Sequence, residues 1–358
     1  MPSSPESPVV IYSQLPPPFH GSAVMTSSLY RALQQSGLPV LMLDRRFSRT
    51  SSDVGKASLD KVLRVPSLLV RAWRLPRQSR AIFFLTNRPG SFLIDLLVLG
   101  VFRLKRVNVV HYVHTFGYER LAQRSMLFRH LVRWALTSAE EVVSLSELHA
   151  KDLTLAGASS TIVIPNATES LDLGLARQTS PARVIFFASI SREKGALDFV
   201  EVARAVGDIL PDVRFEMFGA VSDESIRAVL SEAASQLSNF YLMGEVREFE
   251  AKMVAMSGAS ALLYPSTYKF EAQPLAIIEA MSAGVPTVAY PAGAIPEMLS
   301  TESGVLVSST DEMILSTCAI LRADTSSAPD RARRAYSERY SMPAFTRKWL
   351  EVLRDLKA

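Results

Sequence analysis

The sequence predicts an α/β protein built from two doubly wound parallel sheets. Short apolar, β-branched runs alternate with helical stretches in the first half of the chain, and the same alternation restarts near residue 183. These runs are continuously apolar, which is typical of parallel strands that are covered by helices on both faces. A chain of 358 residues is also long enough for two domains.

The predicted strands form two sets, and each set is interleaved with helices. The first set begins at Val9, Val40, Ala81, Val107, Glu141 and Thr161. The second set begins at Arg183, Val213, Asn239, Ser260, Pro286 and Gly304. Helices are expected, for example, over 26–35 and 121–137, and two polar helices over about 330–338 and 343–357 end the chain.

We therefore expect an N-terminal domain over residues 1–175, a C-terminal domain over 176–340 and a final segment, 341–358, that packs back on the first domain. Doubly wound folds bind ligands at the carboxyl ends of their strands, so the two domains are expected to face a central cleft. The first would then bind an acceptor and the second a donor.

The composition is that of a folded intracellular protein. Hydrophobic residues make up 48% of the chain and charged residues 21%, which excludes a disordered or fibrous protein. The single cysteine, Cys318, cannot form an internal disulfide. The N-terminus lacks the pattern of a signal peptide, and the longest apolar run, 92–102, is too short to span a membrane. We expect a cytoplasmic protein.

Basic residues are concentrated in one part of the chain. Residues 45–106 contain 14 Lys or Arg and only three acids. Within them, the helical segment 65–80 is predicted to carry Leu68, Leu69, Ala72 and Trp73 on one arc and Arg71 and Arg74 on another. This pattern favours a peripheral contact with an anionic membrane surface, although the same helix could simply pack on its own sheet.

Nucleic acid is a less suitable partner for this basic region. The region holds few aromatic residues in stacking arrangements, and it matches no nucleic-acid recognition motif.

The most informative stretch is YPSTYKFEAQPLAIIEAMSAG, residues 264–284. A strand ends at Tyr264, and Pro274 is expected at the first position of a helix, where its missing N–H costs nothing. The free amides at that helix start could bind a phosphate; they belong to Ala272, Gln273 and Leu275. Glu271 before the helix and Glu279 within it could accept hydrogen bonds from two sugars. Alternatively, both could be ordinary surface acids.

This stretch resembles the signature of the retaining glycosyltransferases of family 4, which have the GT-B fold. The resemblance lies in Glu271-x7-Glu279 within the string PLAIIEAMSAGVPTV. It extends to SISREKG at 189–195, FGA at 218–220, MGEV at 243–246, AGAIPE at 292–297 and, in the first half, to HYVHTFGY at 111–118 and IPNAT at 164–168.

The resemblance implies roles for individual residues. It implies that Glu279 holds the ribose of a nucleotide-sugar donor and that Glu271 holds hydroxyls of its sugar. Lys194 would neutralise the donor diphosphate, and Ser189 stands where the family has an arginine. The remaining implied positions are Gly21 near the phosphate, Gly219 and Val246 near the base, and His114 near the sugar as a catalytic residue together with Glu271 and Lys194.

Some functions are made less probable by motifs that the sequence lacks. It has no G-x-G-x-x-G, no phosphate-binding loop of the G-x-x-x-x-G-K-[ST] type and no Asp-x-Asp motif for a metal-bound diphosphate. We therefore expect a metal-independent enzyme without a cofactor. Its donor would be a UDP- or GDP-sugar and its acceptor a lipid-linked molecule, a polysaccharide or another glycoconjugate. The alternatives are a catalytically silent subunit of the same fold and a nucleotide-sugar epimerase.

Overall fold

The chain forms two compact units. The structure is a computed structural model that describes residues 7–17, 20–45, 59–77, 79–171, 181–300, 303–323 and 328–356. One unit comprises Met1–Asn166 and Met342–Ala358, and the other comprises Ala167–Ser341. The boundary predicted at 175/176 lies outside the described residues. From Met342 onwards, the final segment is part of the first unit.

The first unit contains a six-stranded parallel sheet. Its strands are β1 (Val9–Ser13), β2 (Val40–Asp44), β3 (Arg80–Phe83), β4 (Asn108–Tyr112), β5 (Glu141–Ser144) and β6 (Thr161–Val163), in the order β2-β1-β3-β4-β5-β6. Strand β1 is buried along its whole length, as its continuous apolar sequence predicts. The strand order reverses between β1 and β3, so this is where the loops following the strands separate.

Helices cover both faces of this sheet. They are α1 (Gly21–Gln35), α2 (Leu59–Arg74), α3 (Pro89–Leu104), α4 (Tyr118–Ala122), α5 (Met126–Thr137) and α6 (Glu147–Leu155). The helix predicted over 121–137 is therefore two helices. They are separated at Ser125, whose hydroxyl accepts a hydrogen bond from the amide of Phe128 and caps α5. The basic helix predicted over 65–80 corresponds to the later part of α2, which begins earlier, at Leu59, and ends at Arg74, and Arg80 already belongs to β3.

The second unit contains a second six-stranded parallel sheet. Its strands are β7 (Arg183–Phe187), β8 (Arg214–Phe218), β9 (Phe240–Gly244), β10 (Ala261–Tyr264), β11 (Thr287–Ala289) and β12 (Gly304–Leu306), in the order β12-β11-β10-β7-β8-β9. This is the strand order of dinucleotide-binding folds. The order reverses between the central strands β7 and β10, and such a reversal opens a crevice at their carboxyl ends.

The helices of the second unit bury an apolar layer against each face of its sheet. They are α7 (Ala196–Ile209), α8 (Arg227–Gln236), α9 (Phe249–Ser257), α10 (Leu275–Ala283), α11 (Ile295–Met298), α12 (Thr310–Arg322) and α13 (Ala328–Arg339), with a short 3-10 helix at Glu224–Ile226. Helix α10 is almost entirely buried and packs on α9 and α13. The last helix of the chain, α14 (Met342–Asp355), packs in the first unit. The predicted two-sheet α/β fold is confirmed.

Candidate functional site

The predicted donor-site residues of the second unit lie at the carboxyl ends of its strands. Lys194 lies in the turn between β7 and α7, and Glu271 lies in the loop between β10 and α10. These two strands are neighbours at the point where the strand order reverses. Ligands of doubly wound sheets bind at such a point, so the sheet topology places Lys194 and Glu271 together at a candidate binding site.

The carboxylate of Glu271 is held by three donors on a single oxygen. Its Oε2 atom forms an ion pair with Lys194 Nζ and accepts hydrogen bonds from the hydroxyls of Ser266 at 3.1 Å and Tyr264 at 3.3 Å. No described residue donates to Oε1. Burial and the neighbouring Glu271 raise the pKa of Tyr264, so this phenol remains a donor. The carboxylate is thereby fixed with one oxygen left for a ligand.

Lys194 is anchored by its own turn and by aromatic rings. Its ammonium group lies 4.9 Å from the ring centre of Tyr268 and 5.9 Å from that of Tyr264. The carbonyl of Glu193 accepts a hydrogen bond of 2.9 Å from the amide of Thr267, which ties this turn to the loop after β10. Cation–π contacts and the ion pair together hold a positive charge beside Glu271.

The loop between Glu271 and α10 presents unused backbone donors. The amides of Ala272 and Leu275 donate to no acceptor within the described ranges. Pro274 is the N-cap of α10 rather than its first residue, because its ψ of 124° is that of an extended backbone. Gln273 is buried and has interactions of its own. The first amide of α10 and a loop amide two residues before its N-cap, neither used by the described residues, are a suitable place for an anion.

Glu279 lies within α10, about 6 Å along the helix axis from its first residue at a rise of about 1.5 Å per residue. It is buried, and its Oε2 atom forms an ion pair with Lys252 Nζ of α9. Lys252 was not identified from the sequence, because nothing in the spacing of two residues on different helices indicates that they pair. Tyr264 and Ser266 belong to the most informative stretch of the sequence, but its pattern does not indicate that they are partners of Glu271.

Gly293 supports the position of Glu271 from a neighbouring loop. Its φ is +52°, and a β-carbon at this position would lie 1.7 Å from the carbonyl oxygen of Glu271. The next amide, that of Ala294, donates to the same carbonyl at 3.1 Å. Only glycine fits between these two segments, which explains the glycine in the predicted AGAIPE loop.

The other predicted donor-site residues line the same end of the sheet. Gly219 follows β8, and its amide donates to the carbonyl of Gly244 at the end of β9. A β-carbon on Gly219 would lie 1.9 Å from the carbonyl oxygen of Ala188. Val246 is half-buried in the loop after β9, and Ser189 is exposed two residues after β7. The position at which the family has an arginine therefore carries an exposed hydroxyl.

In the first unit, Gly21 and His114 lie at the carboxyl ends of β1 and β4. Gly21 is exposed at the start of α1, and a β-carbon there would meet no atom within 4 Å. His114 is two residues beyond β4 and stacks on Phe84 with ring centres 5.0 Å apart. Burial lowers its pKa to about 3, and His149 and His20 act in the same direction. His114 is therefore a neutral imidazole at pH 7, and its Nε2 atom has no partner in the described chain.

His20, which sequence reasoning did not select, is the N-cap of α1. Its Nδ1 atom accepts a hydrogen bond of 3.3 Å from the amide of Ala23. Burial lowers its pKa to about 4, with further lowering by Arg45 and Arg88. One sequence signal could have identified His20: it stands directly before Gly21, the first residue of α1.

Arg45 is neutralised by a buried acid of the same unit. Its guanidinium binds both carboxylate oxygens of Asp95, at 2.9 and 3.1 Å. Asp95 also accepts hydrogen bonds from the hydroxyl of Tyr12 at 2.8 Å and from that of Thr86 at 2.6 Å. This explains the acid within the apolar run 92–102: Asp95 is a structural residue that joins β1, the end of β2 and the loop after β3.

The predicted membrane or acceptor residues lie on α2. Leu68 and Ala72 are buried, whereas Arg71, Trp73 and Arg74 are exposed. The predicted apolar arc is therefore buried at Leu68 and Ala72 and exposed at Trp73. None of the described helices is long and apolar enough to cross a membrane. The described residues also contain no cluster of three or more His, Cys, Asp or Glu suited to a metal ion.

In a comparison with known proteins, the second unit matches a family model, and a larger part of the chain is similar to a curated protein. Residues 181–323, which include Lys194, Glu271 and Glu279, match the family model Glycosyl transferases group 1. A phosphatidylinositol N-acetylglucosaminyltransferase component from Arabidopsis thaliana is 23% identical over 249 residues. This alignment covers 61% of the chain and 55% of the relative, so the chain spans about half the length of that curated protein.

Two solved structures share the fold over nearly the full length. Anabaena HepE in complex with UDP-glucose is 17% identical, with a TM-score of 0.71 and coverage of 97% of this chain and 100% of that chain. Sucrose-phosphate synthase from Thermosynechococcus elongatus is 18% identical, with a TM-score of 0.73 and coverage of 98% of both chains. The chain thus has the fold of the GT-B glycosyltransferases, and its second unit matches the group 1 glycosyltransferases.

Proposed function

We propose that this protein is a retaining glycosyltransferase whose second unit binds a nucleotide-sugar. The observation that carries the proposal is the Lys194–Glu271 ion pair at the reversal of strand order, next to the free amides of Ala272 and Leu275. A cation, two amide donors and the N-terminus of a nine-residue helix suit a diphosphate. Carboxylates on either side suit the hydroxyl groups of two sugars.

The two acids divide the donor between them. Glu271 Oε1, which has no donor from the described chain, would accept hydrogen bonds from hydroxyls of the transferred sugar. Glu279, within α10, would accept them from the ribose. Gly219 and Val246 would contact the base through backbone groups, and Gly21 and His114 of the first unit would approach the phosphate and the sugar.

In the proposed reaction, the bond between the sugar C1 and the donor phosphate oxygen breaks while the acceptor hydroxyl oxygen forms a bond to C1. The acceptor proton passes to the leaving phosphate oxygen, and the nucleoside diphosphate is released. Front-side attack of this kind retains the anomeric configuration, as the Glu-x7-Glu resemblance implies. Lys194 and the amides would stabilise the charge that grows on the diphosphate, so we propose a reaction without metal or cofactor.

UDP-sugars are the first donors to test, followed by GDP-sugars. HepE was solved with UDP-glucose, and the name of the Arabidopsis relative specifies transfer of N-acetylglucosamine. We propose a lipid-linked, polysaccharide or other glycoconjugate acceptor bound by the first unit. The exposed Arg71, Trp73 and Arg74 support peripheral attachment of a cytoplasmic protein to an anionic membrane surface.

A thermal-shift screen with UDP, GDP and their sugars tests the donor, since a ligand at 100 times its Kd stabilises a protein by about 2.7 kcal/mol. Transfer by the wild type is then compared with that by Glu271→Ala and Lys194→Ala. Each change should reduce turnover at least about tenfold, with Lys151→Ala, an exposed lysine of the first unit, as control. NMR of the product reports whether the anomeric configuration is retained.

Other outcomes would support one of the two alternative functions. Donor binding without transfer to any acceptor would favour a catalytically silent subunit. Conversion of the donor sugar in the absence of an acceptor would favour an epimerase. If transfer occurs and neither variant loses activity, the site assignment is wrong.

A further inference from the structure

Each acid of the candidate donor site has its own lysine, and the second lysine has no role in the proposed function so far. Lys252 lies on α9, and its Nζ atom forms an ion pair with Glu279 Oε2 on α10. The side chains are 21% and 6% exposed, so this pair is largely removed from water. The ammonium also lies 5.4 Å from the ring centre of Phe187, at the end of β7.

Glu279 depends on Lys252 more than Glu271 depends on Lys194. Glu271 Oε2 also accepts two hydroxyl hydrogen bonds, whereas Glu279 Oε2 accepts no hydrogen bond within the described chain. A buried carboxylate without a compensating partner is costly. Lys252 is therefore the charged partner that maintains the carboxylate of Glu279 in place.

The location of α9 places this ion pair close to the loop that is proposed to contact the nucleobase. Helix α9 begins three residues after Val246, in the loop assigned to the nucleobase, and Lys252 lies in its first turn. Lys252 thus joins the segment near the base to the acid near the ribose. No described residue donates to Glu279 Oε1, so the ion pair on Oε2 leaves the other oxygen for ligand hydroxyls.

We propose that Lys252 is a positioning residue for the nucleoside: it holds Glu279 by Oε2 so that Oε1 faces the ribose hydroxyls of the donor. This inference rests on the proposed function of the second unit. It predicts that Lys252 acts on affinity only through the ribose hydroxyls, which a merely structural role would not do.

Calorimetry with two ligands separates these roles. The probes are UDP and 2′,3′-dideoxy-UDP, or GDP and its dideoxy analogue if the wild type binds GDP more tightly. Lys252→Met should weaken binding of the ribonucleotide about tenfold and binding of the dideoxynucleotide less than about threefold. Lys252→Arg should restore most of the loss, and Lys151→Met on the first unit is the matched control.

The remaining outcomes are distinguishable. Equal losses for both ligands, or no loss for either, overturn the role of Lys252 while leaving nucleotide binding intact. If the wild type binds neither UDP nor GDP, the proposed function fails and this inference fails with it. If Lys252→Met does not fold, the double variant with Lys252→Met and Glu279→Gln is measured instead, because it removes both charges of the ion pair. It should bind UDP as Glu279→Gln alone does, and a further loss above about threefold contradicts the proposal.

Discussion

At the scale of single residues, the two carboxylate oxygens of each acid in the candidate donor site have different surroundings. Glu271 and Glu279 each engage a lysine through Oε2, and neither receives a hydrogen bond on Oε1 from the described chain. An acid held at one oxygen has a fixed orientation and still has lone pairs available. Because ordering these side chains costs no further entropy on binding, the arrangement is preorganised for a hydroxylated ligand.

Histidines of the first unit form a second group with shifted ionisation. Burial lowers the pKa of His111 and His149 to about 4 and that of His114 to about 3. The pKa of His20 is lowered to about 4 by burial and by two arginines. His149 donates through Nε2 to the carbonyl of Thr115 at 3.0 Å while its Nδ1 atom accepts from the amide of Leu145, an arrangement that requires the neutral ring.

These histidines predict acid instability of the first unit. Their folded pKa values lie below the ordinary 6.5, so the unfolded chain binds protons first as the pH falls. Their stabilising contribution is complete above about pH 6.5 and is lost towards pH 4. At pH 5 we expect a loss of about 2 kcal/mol for each buried histidine.

Hydrogen exchange followed by mass spectrometry at pH 7.5 and pH 5, corrected for intrinsic rates, measures this difference. The second unit contains none of the five histidines and is an internal control. Equal loss of protection in peptides from both units at pH 5 would contradict the assignment.

At the scale of elements, α2 and α3 share an exposed apolar face that the sequence pattern indicated only for α2. Between Phe92 and Phe102, helix α3 is apolar except for Asp95, which binds Arg45 and Tyr12 on the inner side of the helix. Its outer face exposes Leu93, Leu97 and Leu104, and the neighbouring α2 exposes Leu63, Val70 and Trp73. A helix that is apolar on both faces is typically covered on both.

Charge favours an anionic bilayer as the cover of this α2–α3 surface. Arg74, Arg77, Arg103 and Arg106 are exposed around its edge. Lys105 donates to the carbonyls of Trp73 and Leu75 and so joins the C-terminal ends of the two helices. Each basic residue near an anionic headgroup contributes about 1 kcal/mol, and each inserted leucine about 1.5–3 kcal/mol.

The α2–α3 surface therefore predicts binding to lipid vesicles. The wild type should co-sediment with phosphatidylglycerol vesicles and not with phosphatidylcholine vesicles, and Trp73 fluorescence should shift to the blue. The variant with Leu97→Glu and Leu104→Glu should lose at least about tenfold in vesicle affinity. Leu315→Glu, on an exposed leucine of the second unit, is the control. A wild-type dimer that becomes monomeric in the double variant, without vesicle binding, would instead identify a contact between two copies.

Elements with a strong local pattern could be predicted from the sequence, whereas side-chain pairs between elements could not. All twelve predicted strands are present, because continuous apolar runs between turns are decided locally. The sequence left open whether Trp73 faces a membrane or packs on the sheet, because positions at the edge of an apolar arc face inward or outward according to packing. In the structure Trp73 is exposed. The Lys252–Glu279 pair joins two helices and depends on the register of α9 against α10. No periodicity within either helix encodes that register.

At the scale of the whole molecule, the chain passes between its units twice, after Asn166 and after Ser341. The two crossings are joined to each other inside the second unit: the amide of Thr168 donates to the carbonyl of Tyr340 at 3.2 Å, and the hydroxyl of Tyr336 donates to the carbonyl of Thr168 at 2.7 Å. Because the first unit is made of Met1–Asn166 and Met342–Ala358, it is complete only when the last residues of the chain are present.

Helix α14 supplies part of the core of the first unit from the far end of the sequence. Trp349 is fully buried and lies 4.8 Å from the ring centre of Tyr112 on β4. Arg80 of β3 donates to the carbonyl of Leu353 at 2.8 Å, and Phe345 is also buried. Loss of a buried Trp or Phe typically costs about 3–5 kcal/mol, and a domain has only about 5–15 kcal/mol of stability to lose.

A chain that ends at Ser341 should therefore contain an unfolded or readily cleaved first unit. Limited proteolysis should degrade residues 7–166 of the truncated chain while sparing the second unit, whose apolar layers α14 does not complete. In the full-length chain, Trp349→Ala should lower the midpoint of the first unit in urea, and Arg347→Ala, on an exposed residue of the same helix, should not. A protease-resistant first unit in the truncated chain would show that α14 is dispensable for its core, and the burial of Trp349 would then have to be explained without a stabilising role.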